Sequence, residues 1–100
     1  MLNITISGVG VMGGIFLKAL AKNGDFKIII TDRSAEKLSA FGKKFPLVKI
    51  NQDNAAAVSA ADFIILAVKP QSFLELAAEI KGKISDQAVV FSIMAWVRMQ

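Results

Sequence analysis

Gly8-Val9-Gly10-Val11-Met12-Gly13 sets three glycines at the spacing G-x-G-x-x-G, directly after a β-branched stretch, Leu2 to Ile6. A loop of this kind cradles an anion when a strand leads into it and a helix opens within it. The first glycine permits a tight turn, the second lets the backbone approach a pyrophosphate, and the third lets the helix pack on the strand. Unpaired N–H groups and the macrodipole at the helix N-terminus then favour negative charge. A glycine turn that only packs a helix is the alternative. Asp32 follows Gly13 at the ~20-residue interval where dinucleotide-binding domains place a carboxylate for the adenosine ribose hydroxyls. Arg33 and Ser34 come next. A guanidinium and a hydroxyl at that spot suit a 2′-phosphate, so the three residues send opposed signals on NADH against NADPH. As plain structure, Asp32 is a turn residue and Ser34 a helix cap.

The elements that must position these groups are legible from periodicity. Leu2 to Ile6 and Phe26 to Thr31 read as strands. Between them Met12, Ile15/Phe16 and Ala19/Leu20 recur at helical spacing, with Gly24 where a C-terminal cap belongs. Ser34 can cap a second helix with the stripe Ala35, Leu38, Phe41 and Phe45, stopped by Pro46. A short strand at Val48 to Ile50 follows, then an Ala-rich turn or helix capped by Asp53 and ending near Asp62. Phe63 to Val68 is apolar throughout, as a central parallel strand covered on both faces should be. A helix from Gln71 to Lys81 turns Phe73, Leu76, Ala77 and Ile80 inward and ends at Gly82; Ala88 to Ile93 is the last strand. Strand and helix alternate strictly, which predicts a single α/β domain: a Rossmann-type doubly wound parallel sheet of about five strands.

Composition narrows the chemistry further. One hundred residues allow one domain, and a 54% hydrophobic share excludes disorder. Cysteine, histidine and tyrosine are all absent, so no disulfide, thiolate nucleophile or imidazole base is available and no metal site is expected. The net charge of +4 is scattered, with Lys43-Lys44 the only adjacent basic pair, which argues against nucleic acid. No apolar run approaches the roughly 18 residues of a bilayer span, and no cation precedes Lys18 to form a signal-peptide n-region. A cytoplasmic location is expected. A methyltransferase sheet is disfavoured, because its loop usually follows an acidic residue and lacks the third glycine; here Ser7 precedes Gly8 and Gly13 is present.

Four blocks, Gly8 to Gly14 (GVGVMGG), Thr31 to Leu38 (TDRSAEKL), Asp62 to Gln71 (DFIILAVKPQ) and Ser92 to Val97 (SIMAWV), carry a family likeness. With them the chain resembles the N-terminal cofactor domain of pyrroline-5-carboxylate reductases, and more loosely the superfamily that includes deazaflavin-dependent NADP oxidoreductases. The resemblance implies that Gly8, Val9, Gly10, Val11, Met12 and Gly13 hold the pyrophosphate and that Asp32, Arg33 and Ser34 surround the adenosine ribose. It also implies that Asn54 approaches the adenosine half, and that Ala67, Val68, Lys69 and Pro70 line the nicotinamide side. For Asn54 a plain helix-start or capping role, and for Lys69 a solvated lysine before a Pro-started helix, are the structural alternatives. The implied reaction is hydride transfer from NAD(P)H, with NADPH preferred, to the ring C=N of pyrroline-5-carboxylate to form proline. No catalytic side chain is assigned within the chain.

Two departures stand out. Trp96 occupies a position where the family commonly has glycine, and the family's helical dimerisation and substrate domain has no counterpart before Gln100. The 100 residues alone are therefore expected to show little turnover, since the imine substrate would need the second domain. Association as a homo-oligomer is expected through the apolar segment with Met94, Trp96, Val97 and Met99. The alternatives are the cofactor domain of a related hydroxy-acid dehydrogenase or deazaflavin-dependent NADP reductase, and a non-enzymatic nucleotide-binding module.

Overall fold

A computed structural model describes residues 2–8, 10–22 and 24–92. The elements follow in the order β1 (Leu2–Ser7), α1 (Val11–Ala21), β2 (Phe26–Thr31), α2 (Ala35–Lys44), β3 (Lys49–Ile50), α3 (Asn54–Ser59), β4 (Phe63–Leu66), α4 (Pro70–Ile80) and β5 (Val89–Ser92). The strands form one parallel sheet in the order β3-β2-β1-β4-β5. Central β1 is flanked by β2, from Leu2↔Phe26 to Ser7↔Thr31, and by β4, from Ile4↔Phe63 to Ser7↔Leu66. This is the doubly wound Rossmann-type architecture that the alternation predicts.

Period-two alternation sends side chains of the same strand into two separate cores. Ile4, Ile6, Ile28, Ile30 and Ile65 pack with Leu17 of α1 and Leu38 of α2 on one face. Ile64 and Leu66 pack with Val58 of α3 and Leu76 and Ile80 of α4 on the other. Thr5, only 1% exposed, points into the second face, where its hydroxyl donates to the Ala57 carbonyl at 2.6 Å. The buried hydroxyl is thereby satisfied.

Local capping chemistry sets most helix starts. Ser34 Oγ accepts from the Lys37 N–H at 3.1 Å, and Asp53 Oδ1 from the Ala56 N–H at 3.2 Å. Pro70 opens α4 at a position where its missing N–H costs nothing. Gly82, after α4, has the left-handed φ of +77° expected of a helix stop.

The structure differs from the sequence reading at several places. α1 is capped by Lys22 in a right-handed conformation, not by Gly24, which is not in the left-handed region and has open space where a Cβ would stand. The stripe of α2 is narrower than the periodicity suggests, because Ala35 is exposed and Leu38 carries the burial. β4 stops at Leu66: the Ala67 N–H still reaches the Ser7 carbonyl at 2.8 Å, and the chain then leaves toward α4. Ile93, expected at the end of the last strand, lies outside the described residues. So do Met94, Trp96, Val97 and Met99 of the expected association segment.

β1 connects toward β2 while β4 connects toward β5, so the two connections part at the carboxyl ends of these neighbours and open a crevice. Among the described residues no helix is long and apolar enough to cross a membrane. Ile6 is fully buried at the centre of this arrangement and Leu74 is 80% exposed. Thermal unfolding should therefore register a loss of ~2–5 kcal/mol for Ile6→Ala and about 0.5 kcal/mol or less for Leu74→Ala; equal losses would contradict the described core.

Candidate functional site

The crevice is a cleft of about 160 Å³, walled by the chain at the ends of β1, β2 and β4 and by residues of α2, α3 and α4. Its floor is glycine. Gly8 turns at φ +98°, and a Cβ there would stand 2.8 Å from the Ala67 carbonyl oxygen. A Cβ at Gly13 would collide with the Gly8 carbonyl and come within 3.3 Å of the Ala67 Cβ. These two glycines let β1, α1 and β4 meet without side chains between them. Gly10 differs, since a Cβ there would meet nothing within 4 Å. Its lack of a side chain leaves space open in the cleft rather than serving the packing.

Gly10 is also the N-cap of α1, with no side-chain cap and no acidic residue in the first turn. The first-turn N–H groups of a helix have no intrahelical acceptor, and the N-cap of this helix, Gly10, lines the cleft together with Gly8. Such an end suits an anion. Val11 and Met12 belong to this first turn. Gly13 is buried behind it and Val9 lies outside the described residues.

The other end is built after β2. Asp32 Oδ1 accepts from the Ser34 N–H at 2.9 Å, closing an Asx turn. Arg33 and Lys37 bring positive charge to the cleft wall, while Asp32 and Glu79 bring negative charge. The Arg33 guanidinium is paired with Glu75 of α4. Thr31 Oγ1 donates to Asn54 Oδ1, and Asn54 Nδ2 donates to Glu79 Oε2 at 2.6 Å, a chain linking β2, α3 and α4. The third wall is Ala67, Val68 and Lys69 with Ser72 and Leu76 of α4.

Of the residues singled out from sequence, Gly8, Gly10, Asp32, Arg33, Asn54, Ala67, Val68 and Lys69 meet around this one cleft. Ser34 sits beside it with its oxygen engaged as the cap of α2. Pro70 begins α4. Asn54 does start α3, but Asp53 is its cap; the Asn54 amide is engaged by Thr31 and Glu79. Thr31, Lys37, Ser72, Leu76 and Glu79 also line the cleft, though the sequence does not single them out as site residues. Lys37 had a signal, three residues past the cap in the first turn of α2.

A 3-2-1-4-5 parallel sheet with a glycine turn at its switch point is the architecture of Rossmann-type dinucleotide-binding domains. More particularly, the chain belongs to the family described as NADP oxidoreductase, coenzyme F420-dependent, whose model matches residues 3–96. It is 30% identical over 96 residues to a pyrroline-5-carboxylate reductase of Methanosarcina acetivorans, an alignment covering 90% of this chain and 34% of that protein. The solved pyrroline-5-carboxylate reductase of Coxiella burnetii superposes with a TM-score of 0.82 at 36% identity, over 91% of this chain and 34% of that one. Prephenate dehydrogenase of A. aeolicus, solved in complex with hydroxyphenyl propionate and NAD+, superposes with a TM-score of 0.78 at 29% identity, over 92% of this chain and 33% of that one. The chain spans about a third of the length of the curated relatives it matches.

The glycine geometry separates packing from ligand space. Gly13→Ala should cost about 1–3 kcal/mol of stability through overpacking, whereas Gly10→Val should cost about 1 kcal/mol or less, the scale of an N-cap change. Circular dichroism melts of the two variants measure this, and a melt in which Gly10→Val is the more damaged would refute the assignment.

Proposed function

We propose that this chain is the NAD(P)H-binding domain of a pyrroline-5-carboxylate reductase-like oxidoreductase and that the dinucleotide lies along the cleft. The observation that carries this reading is Gly10: an uncapped helix N-terminus beside space that packing does not require. The pyrophosphate would sit against Gly8, Gly10 and the first turn of α1. Asp32 accepts from ribose hydroxyls, and Asn54, oriented by Thr31 and Glu79, meets the adenosine half. Ala67, Val68 and Lys69 flank the nicotinamide side at the end of β4.

The bound cofactor supplies the hydride for reduction of a C=N bond; the protein orients it and keeps water away. The substrate pocket belongs, in this reading, to a further domain of the kind that the relatives' extra length can hold. The 100 residues by themselves are expected to bind cofactor and turn over little. A homo-oligomer in a cytoplasmic setting accords with such a reductase. The family description favours a second reading, reduction or oxidation of a deazaflavin on the same cofactor.

NADPH is the proposed preference over NADH, because Arg33 and Lys37 both stand on the wall beside Asp32. Calorimetry should show NADPH binding to the wild-type protein and loss of binding in folded Gly10→Val; equal affinity in the two would sink the site assignment. Arg33→Ala should weaken NADPH about tenfold and NADH less than about twofold. Equal losses for both cofactors would remove Arg33 from the recognition of the phosphate.

A further inference from the structure

Arg33 does not stand alone at the cleft wall. Its guanidinium is held by Glu75, which the turn spacing of α4 places four residues before Glu79. The two glutamates have different attachments. Glu79 is bonded to the Asn54 amide and belongs to the chain that joins β2, α3 and α4. Glu75 holds Arg33 and is not among the residues lining the cleft.

The pair is open to solvent, with the Arg33 and Glu75 side chains 59% and 63% exposed. An ion pair in water contributes little and exchanges readily. A phosphate monoester carries close to two charges at neutral pH and three strong acceptor oxygens, so it outcompetes a single carboxylate for a guanidinium. A free ribose hydroxyl has no such hold on Arg33 and pairs with Asp32 instead. A 2′-phosphate must therefore draw Arg33 away from Glu75 and tolerate the Glu75 charge nearby, while an unphosphorylated ribose leaves the pair intact.

On the reading that a dinucleotide occupies this cleft, we propose that Glu75 selects between cofactors by holding the Arg33 guanidinium in competition with the 2′-phosphate. Arg33 alone would favour the phosphorylated cofactor strongly; Glu75 narrows the margin. This accounts for a wall that carries both a phosphate-binding cation and the carboxylate of Asp32: the discrimination is set by exchange of one guanidinium between two anions, not by the residues after β2 alone.

The test is a double-mutant cycle read by calorimetric Kd for NADPH and for NADH in the wild type, Glu75→Gln, Arg33→Ala and the double variant, each checked for folding by circular dichroism. Glu75→Gln should tighten NADPH about two- to fivefold, the size of an exposed ion pair, and move NADH by less than about half of that. In the Arg33→Ala background the same substitution should shift the ratio of the two constants by less than about 1.5-fold, because the guanidinium it acts through is gone. Glu75→Ala, which keeps no hydrogen-bonding group, should reproduce the Glu75→Gln ratio. A ratio unmoved by Glu75→Gln, parallel changes for both cofactors, or a shift that persists without Arg33 overturns the role of Glu75 while leaving the cofactor site standing. If the wild type binds neither cofactor, the site assignment itself falls, and the role of Glu75 with it.

Discussion

At the carboxyl end of β1 the backbones of three segments approach more closely than side chains permit. Gly8 turns with a positive φ against the Ala67 carbonyl, and Gly13 rides directly on the Gly8 carbonyl. Hydrogen bonds clamp the same place from both sides: the Gly8 N–H donates to the Thr31 carbonyl at 2.7 Å and the Ala67 N–H to the Ser7 carbonyl at 2.8 Å. Because α1 is seated on this junction, the direction of its N-terminus is dictated by the strands rather than by its own sequence. A Cβ at either glycine would clash with backbone atoms, so strand ends and helix could not keep this approach. The turn, the packing of α1 and the anion-friendly end of the cleft are thus one constraint seen three ways.

A second set of ties holds the opposite face. α3 has six residues, too few for a helix to persist on its own. Each end is satisfied from elsewhere. Asp53 caps the start, the buried Thr5 hydroxyl takes the Ala57 carbonyl, and Thr31 together with Glu79 fixes the Asn54 amide. Thr5 and Thr31 are polar residues on strands otherwise rich in isoleucine, and they point to the α3/α4 face. Their place in a buried row follows from the carbonyl and amide they satisfy, since an orphaned polar group there costs more than the hydrogen bond returns.

What could be read from sequence was whatever local geometry decides. Ser34 and Asp53 cap helices through bonds three residues away, and the glycine register depends on a single turn. Gly24 misled because a glycine after a helix usually takes the left-handed conformation, yet α1 closes on Lys22 without it. The pairing of Arg33 with Glu75 and of Asn54 with Glu79 joins separate helices and loops, so no period or spacing announces it. β5 is a strand, as the sequence reads it, but its exposure is not legible there: β4 is the sole strand paired with β5 among the described residues, and Val89, Val90 and Phe91 are all at least 41% exposed. Leu47 and Leu74 are more exposed still, so the apolar surplus of the composition is spread around the surface of the described residues as well as expected in the C-terminal segment.

The cleft consequently divides its work along its length. At the Gly10 end the available groups are backbone amides at a helix terminus, with no acidic side chain in the first turn of α1. Such groups attract phosphate irrespective of which nucleotide carries it. At the Asp32 end the wall carries charged side chains of both signs that face solvent, where Coulomb forces are screened and individual pairs are weak. On the proposed reading, affinity for a dinucleotide rests on the glycine junction of β1, α1 and β4. Discrimination, on the same reading, rests on the exchangeable pairs beyond β2. Because the first depends on backbone position and the second on side-chain charge, substitutions on that wall can change the choice of cofactor without disturbing the turn that holds it.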